Sequence, residues 1–357
     1  MSKVSFNNSS NLFFQSLKDS VDNYFASKQL KKTGNWNLYY KTIVLVSAAI
    51  MLYVSLLFLN LPAEWGIFLS SLLGVVLACI GFNVMHDACH GSYSGKKWVN
   101  NFLGYSLNAL GGNAFIWKVK HNILHHTYTS VDGIDDDIAK SPLMRQCTSQ
   151  KWVPAHRFQH IYVVLVYAIS SFAWIFLMDF NKYFKKKIYT TSIQKMNATE
   201  HFIFWVTKIM YVLFYIAIPV MLVGWKAWLV GFIFLHIFMG LTLAIVFQLA
   251  HVVENTEFEK VTAGETKIFE MAWAEHEVKS TADFAPGNKL VTWFFGGLNY
   301  QIEHHLFPKI SHIHYPAISK IVKKKCEEFN LPYHCFPTMG AAVVSHFKIM
   351  KQLGQNT

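Results

Sequence analysis

The sequence predicts an all-α integral membrane protein, and three observations carry that expectation. Apolar residues make up 53% of the 357-residue chain and charged residues only 15%, where an ordinary soluble domain has about 25% charged. The apolar residues gather in five long runs, 42–59, 65–84, 158–180, 202–223 and 228–250. Each has close to the roughly 20 residues that a helix needs to cross about 30 Å of hydrocarbon. Basic residues, finally, group beside these runs, at 28–32, 182–187 and 320–325. The expected architecture is about four transmembrane helices with interfacial or re-entrant helices and a cytoplasmic helical cap.

The elements follow in order. Residues 1–36 are polar and mixed in charge, and lack the short apolar core and small-residue cleavage site of a secretory signal. A cytoplasmic segment over 1–40 is therefore expected, because Lys28, Lys31, Lys32 and Lys41 precede the first run and basic residues favour the cytoplasmic side. The connection 60–64 has Glu64 as its one charge and reads as a tight turn on the far side. The second run then returns the chain to the cytoplasm. Residues 101–117, with Gly104, Asn108, Gly111 and Gly112, are too polar and short to cross, so they should dip in or lie on the surface. The run 158–180 is followed by Lys182, Lys185, Lys186 and Lys187, which should stay cytoplasmic, so it reads as interfacial or re-entrant. Trp174 and Asp179 within it suit an interface. The last two runs cross, joined by a turn at Gly224. Beyond Trp273 the chain turns polar, with a basic helix over 315–329 and another over 339–353. The domain reading is a polar segment 1–40, a membrane domain 41–325 and a cytoplasmic helical tail 326–357.

Cys79, Cys89, Cys147, Cys326 and Cys335 form no CxxC pair or ladder, so neither a zinc ribbon nor a disulfide framework is indicated and free thiols are expected. The net charge of +11 raises the question of nucleic acid. Its placement beside apolar segments instead points to an anionic leaflet, at about 1 kcal/mol per well-placed cation.

Eight histidines stand out. His86 and His90 lie in HDACH, His121, His125 and His126 in HNILHH, His304 and His305 in QIEHH, and His251 stands alone at the end of the last run. Imidazole is the commonest biological metal ligand. A spacing of four stacks His86 and His90 on one helical face, within reach of one metal, and His121 and His125 repeat it. His126 points about 100° away from His125. An adjacent pair thus serves two metals more naturally than one, and the two HH pairs suggest a dinuclear centre. His156, His160, His201, His236, His312, His314, His334 and His346 are expected to be surface or hydrogen-bonded core residues, and His276, before the third box, is also read as non-ligating. A nearly all-nitrogen site suits iron, copper or zinc. Zinc usually takes four ligands, whereas two irons sharing eight or nine would keep room for oxygen. The Glu-x-x-His pairs of carboxylate-bridged di-iron bundles do not occur at the clusters.

The three boxes resemble those of the membrane fatty acid desaturase superfamily, and the glutamine that opens the third is similar to the front-end branch, which works between an existing double bond and the carboxyl end. The likeness extends through GFNVMHDACHGSYS, WKVKHNILHHTYT, FQLAHVVE and WFFGGLNYQIEHHLFPKISHIHYPAI, from about Lys41 to Lys325. It implies an enzyme with two non-haem iron ions that uses O2 and two external electrons to place a cis double bond in the acyl chain of an acyl-CoA or acyl-lipid. It also implies that His86, His90, His121, His125, His126, His304 and His305 are ligands and that His251 takes the additional ligand position. Gln248, one turn before His251, matches a polar position that can reach a metal through water. Gln301 stands where most desaturases have histidine, so it is a weak ligand or a hydrogen-bonding group. Asp87, Asp135, Asp137, Glu254 and Glu303 are candidates to accept the second ring N–H of an imidazole. No HPGG of a fused cytochrome b5 domain is present, and the N-terminal stretch is short for one. A separate donor, ferredoxin or cytochrome b5, is therefore expected at the cytoplasmic face, with the bilayer and the acyl substrate as the other partners and no nucleic acid. The rivals are a di-iron lipid hydroxylase and a histidine-rich metal transporter, which would hold its ligands at mid-depth.

Overall fold

The long apolar runs fold as two helical hairpins in a computed structural model that describes residues 3–7, 11–139, 142–193, 195–262 and 264–355. Parts of the N-terminal segment (1, 2 and 8–10) and the last two residues of the tail lie outside the described residues. An amphipathic helix α1 (Leu12–Ser27) comes first. Helix α2 (Trp36–Phe58) starts where the Asn35 side chain accepts from the Asn37 N–H, satisfying one of the free donors of a helix start. After the Leu59–Pro62 break, α3 (Ala63–His90) returns and carries the first box at its end. Among the described residues four helices are long and apolar enough to cross a membrane, as expected: α2, α3 and two later ones.

The segment between the first two boxes lies flat, as its polarity suggested. Helix α4 (Lys97–Gly104) and a turn at Ser106–Ala109 expose Trp98, Phe102 and Tyr105, rings suited to a membrane interface. The chain then enters α5 (114–125), which bears the second box. The run 158–180 is broken. Helices α6 (Pro154–Ala168) and α7 (Ser170–Lys185) meet at a 59° bend, and only if the pair counted as one span would there be a fifth. The halves reach about 22 and about 24 Å at 1.5 Å per residue, each short of about 30 Å of hydrocarbon.

Helices α8 (Ala198–Val223) and α9 (Trp225–His251) form the second hairpin, turning at Gly224 with φ +80°. The centre of the molecule is α3 against α9. A Cβ at Gly74 would lie 2.2 Å from the Leu235 carbonyl oxygen, so only glycine lets the two backbones come this close. Helices α2 and α8 flank this pair and face outward along most of their length.

Two features correct the charge reading. Lys41 and Lys182 are not solvated cations: Lys41 Nζ donates to Asn83 Oδ1 (2.6 Å) and Lys182 Nζ sits 2.5 Å from Asp136 Oδ2, both buried. Asp179 is no interfacial group either. It is buried, 3.0 Å from Lys208 Nζ of α8, and accepts from the Trp174 indole. A charge inside a low-dielectric layer is tolerated only when paired, so α7 is pinned to α8. Lys185, Lys186 and Lys187 do remain exposed.

The cap is built from α1, α10 (Trp273–Ser280), α11 (Gln301–Leu306), α12 (Tyr315–Glu328) and α13 (Met339–Leu353). Phe13, Leu17, Val21 and Phe25 recur every four residues on α1 and bury against Tyr315, Ile318, Val322 and Cys326 of α12. Ladders two to four residues long, absent from the all-α expectation, tie the loops: Lys3–Phe6 runs parallel to Thr266–Phe269, Val131–Asp132 to Glu259–Lys260, and Asp283–Phe284 to Cys335–Phe336. All five cysteines are free thiols.

Candidate metal centre

Helix ends converge where the membrane hairpins meet the cap. Box one ends α3, box two fills α5, His251 ends α9 and box three is α11. The eight imidazoles meet there, and all but the slightly exposed His90 are buried. His86, His90, His121 and His304 each bring a ring nitrogen within 4.8 Å of the others, and His125, His251 and His305 form a second such group. His126 joins His304 and His305 in a third. Of the adjacent pair in box three, His304 meets the first group and His305 the second, and both meet His126 in the third.

Local backbone geometry differs from a plain α-helix at two points. A π turn, Gly81–Met85, precedes box one, and Val119–His125 in box two is π-helical, with the His126 N–H donating to the His121 carbonyl oxygen at 3.0 Å. Wider π turns, frequent at functional sites, put residues five apart on one face. His121 Nε2 thus lies 3.2 Å from His126 Nε2 and 3.2 Å from His86 Nε2. His121 and His125 still stack at 5.2 Å and share a metal-compatible group with Asp137, as their spacing suggested, but His121 also turns to box one and His126 while His125 faces His251 and His305.

The nitrogens fit a metal. His90 Nε2, His125 Nε2 and His304 Nε2 are buried without a hydrogen-bond partner, a condition costing about 1–3 kcal/mol for each group unless a ligand completes it. Ring nitrogens about 2.1 Å from one cation at near-right angles lie about 3 Å apart, close to the 3.2 Å seen. Burial holds His121, His126, His304 and His305 well below the usual histidine range, which keeps them neutral and able to ligate.

Partners on the outer nitrogens set ring orientation. His125 Nδ1 lies 3.0 Å from Asp135 Oδ2, one of the expected carboxylate contacts. Burial alone would lower His125, but Asp135 overrides it and raises its pKa. Asp137 stands 3.8 Å from His125 Nδ1 and pairs with Lys120. Three contacts escaped the sequence reading. Glu277 Oε2 accepts from His305 Nδ1 (2.8 Å) and from Thr129 Oγ1 (2.7 Å), and the Tyr315 hydroxyl meets His304 Nδ1 (3.1 Å). Thr129, four residues after His125, had a helical signal. Glu277 and Tyr315 had none, since only folding brings them to their histidines.

The other candidates face elsewhere. Asp87 accepts from Ser311 Oγ (2.7 Å) and lies 3.1 Å from His312 Nδ1, because residue 87 points about 100° away from His86 on the helix. Glu303 accepts from the Tyr333 hydroxyl beside Asp283, and Glu254 pairs with Lys348 toward the surface. Gln248 accepts from Gln146 Nε2 at 2.9 Å. Gln301 does reach the centre: its Nε2 is 2.9 Å from His251 Nε2 and 3.5 Å from His305 Nε2, with Oε1 unpartnered. Among the described residues none of the nine remaining histidines joins a metal-compatible group. His236 meets Ser171 and Tyr211, His346 meets Tyr167, His156 meets the Pro142 carbonyl, and His276 Nε2 donates to the Thr129 carbonyl at 2.7 Å.

Comparison with known proteins agrees with this geometry. The family model described as fatty acid desaturase matches residues 62–337. The sn-1 linoleoyl-lipid 6-desaturase of Synechocystis sp. is 34% identical over 346 residues, covering 96% of both chains. That of Arthrospira platensis is 32% identical over 358 residues, 99% of this chain and 96% of its own. The acyl-lipid (8-3)-desaturase of Physcomitrium patens is 33% identical over 350 residues, 96% of this chain and 72% of its own. With a family match over most of its length, the chain belongs to the fatty acid desaturases, oxidoreductases of lipid metabolism, on the front-end branch to which its glutamine-led third box pointed.

Proposed function

We propose that the enzyme desaturates an acyl group carried by a membrane glycerolipid, placing a cis double bond between an existing one and the carboxyl end. In this reading two iron ions occupy the centre. His86, His90, His121, His126 and His304 surround one, and His125, His251, His305 and Gln301 the other. The observation that carries it is the convergence of eight buried imidazoles with orphaned ring nitrogens at the ends of membrane helices. The acyl-lipid substrate is supported by the names of the three relatives.

When bound, two irons with O2 and two electrons from a separate carrier supply the oxidant needed to take a hydrogen from each of two unactivated methylenes. The chain's own residues do the rest. Asp135, Glu277 and Tyr315 fix the rings of His125, His305 and His304 through Nδ1, leaving Nε2 toward the metals. Turning the Gln301 amide by half a rotation would put Oε1, a better metal donor, where Nε2 now stands. Trp117 stacks on His121 at 4.3 Å, and Phe247 packs 4.6 Å from His251, so apolar walls exclude water from the centre. The positive-inside bias, carried by Lys28, Lys31, Lys32 and Lys185 to Lys187, supports a cytoplasmic position for the histidines.

The test is expression in a host fed defined unsaturated fatty acids, with lipid classes separated and double bonds located by mass spectrometry. A new double bond on the carboxyl side, appearing in glycerolipids before acyl-CoA, is expected, together with iron near two per chain. Hydroxylated products alone, or an active preparation containing only zinc, would overturn the reading.

A further inference from the structure

Desaturation by O2 needs electrons from outside: R–CH2–CH2–R′ + O2 + 2 e− + 2 H+ → R–CH=CH–R′ + 2 H2O. The methylenes give two of the four electrons that O2 takes up, and a donor gives the other two. The buried centre can receive them only through the protein. We infer that Trp273 is where electrons enter and that the aromatic patch around it docks a small acidic one-electron carrier protein; this rests on the function proposed above.

Four aromatic side chains touch the histidine cluster or its backbone: Trp117, Phe247, Trp273 and Tyr315. Trp117 and Tyr315 are buried, and Phe247 lies within the membrane helix α9. Trp273 is half-buried like Phe247, but it lies on the cap and not in a membrane helix. Its indole N–H donates to the His126 carbonyl oxygen at 3.1 Å. Glu277, one turn later on the same face of α10, holds His305 Nδ1 at 2.8 Å. One surface ring therefore leads by short bonded routes to a histidine of each metal group.

The surroundings match a redox partner's small, transient interface. Phe14 packs edge-on to Trp273 at 5.4 Å and stacks on Phe307 at 5.9 Å. This apolar centre has a basic rim. Lys18 stands one turn beyond Phe14, Lys309 two residues after Phe307, and Lys28 and Lys31 follow α1, all exposed. The acidic neighbours are Asp19, Glu270 and Glu275, while Asp22 pairs with Lys32 at 2.5 Å. On a chain of net charge +11, such a rim steers an acidic partner.

The test uses enzyme in nanodiscs with two acidic probes, reduced plant-type [2Fe–2S] ferredoxin and a soluble cytochrome b5 domain. Charge reversal by Lys18→Glu with Lys309→Glu should raise the KM for the working carrier about tenfold at low salt and flatten its salt dependence. The Kd of the oxidised carrier for metal-depleted enzyme should weaken by the same factor, a reading independent of turnover. Trp273→Phe, which keeps the ring and removes the N–H, should slow carrier-driven turnover about tenfold more than single turnover of dithionite-reduced enzyme. Equal losses in both assays, an unchanged Kd and KM after charge reversal, an effect on vesicle binding alone, or turnover with a cationic carrier and neither acidic one would each overturn the inference. If dithionite-reduced parent enzyme formed no double bond, the proposed function would fail instead, and the Kd measurement would still judge the docking surface.

Discussion

Replacing Glu277 tests whether the centre depends on a residue the sequence did not disclose. Glu277 is fully buried, and its Oε2 accepts from His305 Nδ1 at 2.8 Å and Thr129 Oγ1 at 2.7 Å. Glu277→Ala removes the acceptor that holds the His305 ring. A buried donor left unpaired costs about 1–3 kcal/mol, and loss of such a partner typically costs about 10–100-fold in metal affinity. Thr129 Oγ1 stands 3.0 Å from His305 Nδ1, and with Glu277 gone its one proton can turn to the His125 carbonyl oxygen at 2.7 Å, so it can take over as a weaker acceptor. The single variant should therefore lose about tenfold, and Glu277→Ala with Thr129→Val about a hundredfold. Glu277→Gln, which keeps a neutral acceptor, should lose less than either. The assay is iron per chain after dialysis against graded chelator. Because His305 belongs to the group of His125 and His251, one iron should leave first and the second follow at higher chelator. If the double variant keeps both irons at the parent's chelator concentration while His305→Ala loses one, Glu277 does not orient the ligand.

Three further outcomes follow from the same structure. Lys208→Met would strand Asp179 as a buried charge and should cost about 3–5 kcal/mol, with much of it recovered by Lys208→Met with Asp179→Leu; equal melting temperatures for the single and double variants in detergent would refute the pairing. Gly74→Val should drive α3 from α9, lowering both melting temperature and iron content by an overpacking cost of about 1–3 kcal/mol, whereas Gly66→Ala, with open space around it, should leave both unchanged. Metal uptake should release protons and strengthen as pH rises. Burial pushes the Glu277 carboxyl well above the ordinary carboxylate range in the metal-free protein, so it is protonated at low pH, while a metal on His305 favours the ionised form. Calorimetry in buffers of different ionisation enthalpy reads that release, and uptake without it would count against the coupling.

The membrane helices were legible because burial in hydrocarbon demands long apolar runs: α2, α3, α8 and α9 lie on four of the five predicted, and the fifth, before the cationic loop after 180, is a pair bent by 59°. The reason given for that loop was partly mistaken. Lys182 is buried against Asp136, and Lys41 against Asn83 and His312. A sequence shows that a lysine is present but not whether it finds a carboxylate, which is a matter of tertiary packing.

The histidine boxes were legible for a similar reason, since a metal-compatible cluster needs many imidazoles and local spacing brings most of them into reach. Their division was only half visible. Adjacent residues diverge on any helix, so the HH pairs had to split, but the π turns that swing His121 onto His126 have no simple sequence signature. By itself, then, the chain determined its class, its long apolar helices, its histidine boxes and, through Gln301, its branch, because each depends on residue type and local period. Tertiary structure alone decided which imidazoles share a metal group, that Glu277 and Tyr315 rather than Asp87 and Glu303 orient them, and that Trp273 links the cap surface to His126. The contacts of Tyr315, Glu277 and Trp273 join residues from 11 to 147 positions apart, and no local periodicity reaches across such separations.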